Sequence, residues 1–192
     1  MQSKITCTIP KDRVGVLIGR EGEVRKTIEK NLGVCLSISG ESGIVEITSQ
    51  DEKTDPVSLL RAKDIAMAIG RGFSPEKACL LLDEDIALEV IDLRDLYGKN
   101  ESDMRRVKGR IIGQDGKTRR IIEEMTRASL SIYGDTIGIL GAYERVATAR
   151  EAVEMLLKGK QHATVYRFLR DRRWEEKRRQ TLELWEKPMP RP

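Results

Sequence analysis

Two glycine pairs stand in matched surroundings, Gly19 with Gly22 and Gly113 with Gly116. Val16-Leu17-Ile18 precedes the first pair and Arg110-Ile111-Ile112 the second. A short helical pattern follows each. Glycine has no Cβ, so a Gly-x-x-Gly turn lets a phosphate backbone approach the peptide closely. A helix that starts at the second glycine adds free N–H groups and partial positive charge. The chemistry on offer is the binding of a single-stranded polyanion.

A single turn of this kind is an ordinary helix stop. Here the two copies share one offset of 94 residues, which pairs Arg25 with Arg119, Ile28 with Ile122 and Glu29 with Glu123. Leu36-Ser37-Ile38 pairs with Leu130-Ser131-Ile132. The likeness therefore extends over about 70 residues per copy, the size of a small domain.

The elements that must position these turns follow from periodicity. Ile5, Cys7 and Ile9 alternate and predict a strand over 4–10. Helices are predicted over 12–18 and 21–31, strands over 34–39 and 44–48, and a longer helix over 56–69. Pro56 suits the first turn of that helix. Ser74 is the predicted N-cap of a further short helix ending at Leu82. The acidic run Asp83-Glu84-Asp85 marks the boundary.

The second pass repeats the order. A strand is predicted over 86–93 and a polar loop over 97–103, with Ser102 or Asp103 capping a helix over 104–112. A helix over 117–127, strands over 129–133 and 136–140, and a helix over 143–157 follow. An Arg-rich helix is predicted over 163–185. The domains are thus 1–83, 84–160 and the basic C-terminal segment 161–192.

The net charge of +4 conceals an asymmetry. Residues 1–97 hold 13 Lys and Arg against 17 Asp and Glu, whereas residues 98–192 hold 22 against 14. The second half is the better holder of a polyanion. No apolar run approaches membrane length and no signal-like segment opens the sequence. Cys7, Cys35 and Cys79 form no Cys-x-x-Cys pair, so structural thiols and a cytoplasmic location are expected, with no metal. There is no phosphate-binding loop, nucleophile elbow or metal-ligand spacing, and His162 is the single histidine. The expectation is a protein that is not an enzyme and needs no cofactor.

The order β-α-α-β-β-α around a Gly-x-x-Gly turn resembles the type I KH domain. The fold class implied is α+β. It has two tandem KH domains, each a three-stranded antiparallel sheet with helices on one face, plus a basic C-terminal helix. In that family the turn clamps about four nucleotides and the bases lie in an aliphatic groove. The candidate RNA-binding residues are Ile18, Gly19, Arg20, Gly22 and Arg25 in copy one. In copy two they are Arg110, Ile112, Gly113, Gln114, Gly116, Lys117, Arg119 and Arg120. The β-edges of the grooves fall near 36–38 and 130–132. A tandem pair with a tail containing Arg172-Arg173-Trp174 resembles the archaeal and eukaryotic small-subunit ribosome-biogenesis KH family more closely still. That resemblance implies the 3′ end of small-subunit rRNA as ligand and a PIN-domain rRNA endonuclease as partner. The intact first turn suits the archaeal branch.

Two features depart from the usual KH pattern. Copy two carries Gln114 and Asp115 between its glycines rather than a basic residue. Yet residues 104–120 hold seven Lys and Arg against one acid. Copy one has Arg20, but Glu21, Glu23 and Glu29 surround it. Copy two is therefore expected to do most of the binding. In the tail, Trp174 and Trp185 are expected to pack on the second domain, with base stacking as the alternative. Two other functions stay open. One is a protein-interaction hub whose acidic first domain docks a processing or translation factor. The other is an accessory KH protein of RNA degradation or transcription.

Overall fold

The computed structural model describes residues 4–51 and 55–186, without the side chains of residues 180 and 183–186. Two β-α-α-β-β-α units follow one another. The first comprises β1 (Lys4–Thr8), α1 (Lys11–Ile18), α2 (Glu23–Leu32), β2 (Val34–Ile38), β3 (Ile44–Ser49) and α3 (Pro56–Gly70). A short helix α4 (Pro75–Ala78) then runs into a 3-10 turn, Cys79–Leu82. The second unit has β4 (Ile86–Asp92), α5 (Leu93–Tyr97), α6 (Glu101–Ile112), α7 (Lys117–Thr126), β5 (Ser129–Tyr133), β6 (Thr136–Ala142) and α8 (Tyr143–Leu157). A long helix, α9 (His162–Glu186), closes the described chain.

Each sheet is antiparallel, in the orders β1-β3-β2 and β4-β6-β5. The central pairings place Leu36 opposite Ile47 and Leu130 opposite Ile139. Side chains alternate faces along a strand, so these residues share the face that the helices cover. Leu17, Ile28 and Ile65 seal the first core, and Ile111, Ile122 and Val153 the second. Ile, Leu, Val and Ala make up most of both cores.

The second unit starts differently from the expected pattern. The 97–103 segment is not a plain loop. Asp92 caps α5 by accepting from Arg94 N–H at 2.8 Å. The cap of α6 is Asn100, not Ser102 or Asp103. Asn100 accepts from the Asp103 N–H at 3.3 Å and its amide donates to the Asp103 carboxylate at 2.7 Å. Asn100 thus fills the N-cap role while the Asp103 carboxylate holds its side-chain amide in place, and the helix starts three residues early.

The outer faces of the two sheets have different fates. That of the first sheet is polar, with Lys4, Thr6, Thr8, Cys35 and Ser37 exposed. In the second sheet, Thr136 through Gly141 of β6 are all buried, so both faces are covered. Phe73 lies on Gly138, where an added Cβ would come within 2.7 Å of the ring. Leu140, Ile86 and Leu88 join the first core. Ser131 Oγ donates to the Arg71 carbonyl at 2.8 Å. Arg13 donates to the carbonyls of Ile69 and Phe73 at 2.8 and 2.6 Å, and its guanidinium lies over the Tyr133 ring. The Tyr133 hydroxyl donates to Asp12, which raises its pKa above the usual tyrosine range. The two units are therefore packed against each other.

Candidate nucleic-acid interface

Both turns have one backbone shape. Gly19 has φ 74° and ψ 178°, and Gly113 has φ 72° and ψ 175°. Gly22 and Gly116 are left-handed, with φ 77° and 73°. The residue before each second glycine is also left-handed: Glu21 at φ 50° and Asp115 at φ 51°. A basic side chain supports that conformation from below. Lys26 Nζ donates to the Glu21 carbonyl at 3.1 Å, and Arg120 Nη2 donates to the Asp115 carbonyl at 2.6 Å. Lys26 and Arg120 obey the 94-residue offset, which is the signal that would have added Lys26 to the site residues.

The two glycines of a turn have different duties. A Cβ on Gly19 would lie 2.5 Å from Val24 Cγ2, and one on Gly113 would lie 2.3 Å from Thr118 Oγ1. The first glycine lets the turn fold back on the next helix. A Cβ on Gly22 would meet only Lys26, at 3.8 Å, and one on Gly116 would meet nothing within 4 Å. The second glycine leaves open space at the N-terminus of α2 or α7. That is where an incoming phosphate finds N–H groups and the positive end of the helix dipole.

Around the second turn, Gln114 and Lys117 are exposed, as is Ile112 at 37%. Lys117 and Arg105 have no hydrogen-bond or ion-pair partner among the described residues. Lys108 reaches across to the β5–β6 turn, donating to the Gly134 carbonyl and the Asp135 carboxylate, both at 3.1 Å. Arg94 binds the same carboxylate at 2.8 Å. Hydrogen bonds from Lys108 and then Arg94 hold the Asp135 pKa below the usual carboxylate range. Arg110 is turned to the other side of α6, where it donates to the Lys160 carbonyl at 2.7 Å.

Around the first turn, Arg20 is exposed beside the exposed Glu21 and Glu23. Ile18 is half-buried against the first core. Arg25 and Arg119 do not extend freely from either turn. Arg25 pairs with Glu29 at 3.0 Å, and Arg119 lies 3.5 Å from Glu123. Each glutamate also accepts the backbone N–H of the edge strand at 2.8 Å, Leu36 for Glu29 and Leu130 for Glu123. Helix and edge strand are thereby tied together at the floor of each groove.

The tail departs from expectation in one respect. Trp174 does not pack on the second unit. It is 63% exposed, with Arg178 over its ring. The side chain of Trp185 lies outside the described residues. Helix α9 is held to the second unit instead by Val165 and Leu169, both buried. No group of three or more potential metal ligands occurs among the described residues, and no described helix is long and apolar enough to cross a membrane.

Two such units, each with the Gly-x-x-Gly turn between its first two helices, define a tandem type I KH protein. Residues 87–174 match the family described as eukaryotic type KH-domain (KH-domain type I), and residues 4–56 match the KH domain family. A KH domain-containing protein of Methanocaldococcus jannaschii is 52% identical over 93% of this chain and 78% of its own length. The RNA-binding protein pno-1 of Caenorhabditis elegans is 32% identical over 85% of this chain. The chain spans 60% of that longer relative. A chain of the a/eIF2alpha–aDim2p–rRNA complex from Pyrococcus horikoshii superposes with a TM-score of 0.83 at 45% identity, covering 91% of this chain and 96% of its own. The chain belongs to the Pno1/Dim2 family of KH proteins.

Proposed function

We propose that this chain is a non-enzymatic adaptor that binds single-stranded small-subunit rRNA at its 3′ end during ribosome biogenesis. The observation that carries the reading is the second turn. It pairs an open glycine, Gly116, with the exposed Lys117, a cation that no described carboxylate compensates. The Pyrococcus relative, solved in a complex that includes rRNA, supports RNA as the ligand. Among the other candidate residues, Ile112, Gly113 and Gln114 stand at the turn, Arg120 braces it, and Arg119 lies beside Glu123. Gly19, Gly22, Ile18, Arg20 and Arg25 form the weaker site of the first unit. The division into 1–83, 84–160 and 161–192 follows from this reading, because each KH unit needs its own turn and sheet.

Two partners fit. That same complex includes a/eIF2alpha, which favours a translation factor. A PIN-domain endonuclease follows from the family's place in pre-rRNA processing. The test is fluorescence anisotropy of a labelled 3′-end rRNA oligonucleotide against a shuffled one of equal length in matched salt. Preference for the true sequence is the expected result. Equal affinity reduces the protein to a general KH binder, and no binding to either makes it an interaction hub.

A further inference from the structure

Helix α9 begins against the back of the second turn, on the side of α6 away from Lys108 and the β5–β6 turn. His162 Nε2 meets the Arg110 carbonyl at 2.9 Å, and the Tyr166 and Thr118 hydroxyls meet at 2.9 Å. Thr118 is the residue that crowds Gly113. Two clefts follow one another along this seam. The first, about 420 Å³, is lined by Arg106, Arg110, Lys117, His162 and Tyr166 together with the turn itself. The second, about 590 Å³, shares Tyr166 and continues over Ile121 and Met125 to Arg167 and Arg170.

Neither cleft has an Asp or Glu among its lining residues. Arg110 bonds only to a neutral carbonyl, and Arg167 is exposed with no partner among the described residues. Arg106 is paired with Asp103, and Arg170 lies 3.9 Å from Asp171 at the surface, where such pairs contribute little. The sequence separates these residues by some 50 positions, and α9 brings them into one cationic strip that starts at the Gly-x-x-Gly turn.

We infer that this seam is a second RNA-backbone track. It takes the phosphates of nucleotides flanking those held in the groove of the second unit. The inference rests on the RNA-binding reading above. A backbone clamped at Gly116 and Lys117 is already at the mouth of the first cleft, because Lys117 lines it. Contacts along the seam are to phosphate and carry no sequence information; they add affinity and salt dependence.

The test compares a four-nucleotide RNA with the same RNA extended by four nucleotides at its 5′ or its 3′ end. The variant is Arg167→Gln/Arg170→Gln, both at exposed positions of the second cleft, with thermal melting as the control on folding. The wild type should bind one of the extended RNAs more tightly than the short one. The variant should lose roughly tenfold of that affinity, with a salt slope lower by about 0.7 per lost contact. It should bind the short RNA as the wild type does. Equal loss on short and extended RNA, or no loss on either, overturns the track and leaves the groove intact. If the short and extended RNAs both fail to bind the wild type, the RNA-binding reading itself falls and takes the track with it.

Discussion

Glu23 and Lys117 occupy the same place in the two KH units, as do Asp12 and Arg106, and Val16 and Arg110. The turns beneath them share one backbone shape, with the φ angles of matching glycines within a few degrees of each other. The contrast teaches that the fold supplies the turn, and that the residues around it decide whether a phosphate is welcome. Exposed charges are screened beyond about 8 Å at physiological salt. The local substitution of Glu by Lys therefore counts for more than the net charge of either half. A second contrast lies in the sheets. The first leaves a polar face to solvent, while the second is covered on both faces and built around Gly138.

The largest effect is expected at that buried face. Phe73→Ala removes the ring that fills the space over Gly138 and should cost about 3–5 kcal/mol in chemical denaturation. Thr6→Ala, on the exposed face of the first sheet, should change stability by less than about 0.5 kcal/mol. Similar costs would mean that the second sheet is not the one that depends on its neighbour.

RNA binding sharpens the contrast between the turns. Gly116→Asp places a carboxylate in open space where the phosphate would sit, and Asp tolerates the left-handed backbone better than most residues. The expected loss of affinity is roughly 30-fold or more, by the logic of replacing an open N–H site with a like charge. Gly22→Asp, made in an already acidic setting, should cost no more than about threefold. A larger loss at Gly22 would reverse the ranking of the units. Substitution at Gly113 tests something else, because a Cβ there strikes Thr118 and disturbs folding as well as binding.

These contrasts also separate what the sequence discloses from what it hides. The turns, the strand order and the repeat are local or periodic signals, and they are legible. The cap at Asn100 was hidden because Ser102 and Asp103 carry the same chemistry two and three residues later. The α9 contact through Tyr166 and Thr118 spans 48 residues, and the Arg13–Phe73 bond spans 60. Neither has a local signature. Burial of β6 on both faces was present in its composition, since apolar and glycine residues occupy both parities of Thr136–Ala142. That run could have been read as a doubly covered strand. Trp174 illustrates the opposite error: a large aromatic on a helix need not be packed when Val165 and Leu169 already fix that helix.

A smaller effect addresses what the units share. Glu29 and Glu123 each hold an arginine and an edge-strand N–H. Glutamine in either place keeps an acceptor for the N–H and releases the arginine. In the second unit, Glu123→Gln should raise RNA affinity about threefold, the scale of a partly exposed ion pair. Glu29→Gln should leave affinity unchanged, because Glu21 and Glu23 still face any ligand. An equal gain in both units would show that the first groove also takes RNA.

The smallest effect is one of pH, and it too divides the units. Asp135 is the group that Lys108 and Arg94 hold at the β5–β6 turn. Its folded-state pKa is depressed below the value of about 3.9 expected when unfolded. The stability it contributes is therefore present above that value and is lost as pH falls through the depressed one. The corresponding turn of the first unit, at Gly40–Gly43, is closed by backbone bonds from Ser39 to Ile44 and from Gly43 to Ser39, which do not titrate. Amide exchange at Leu93, whose N–H donates to the Asp135 carbonyl at 2.8 Å, should accelerate relative to Gly43 once pH drops below about 4, after correction for intrinsic rates. Asp135→Asn should bring that acceleration to neutral pH and abolish its pH dependence. If Leu93 and Gly43 respond alike, the ion pairs do not hold this turn, and the charge difference between the units is confined to the Gly-x-x-Gly turns.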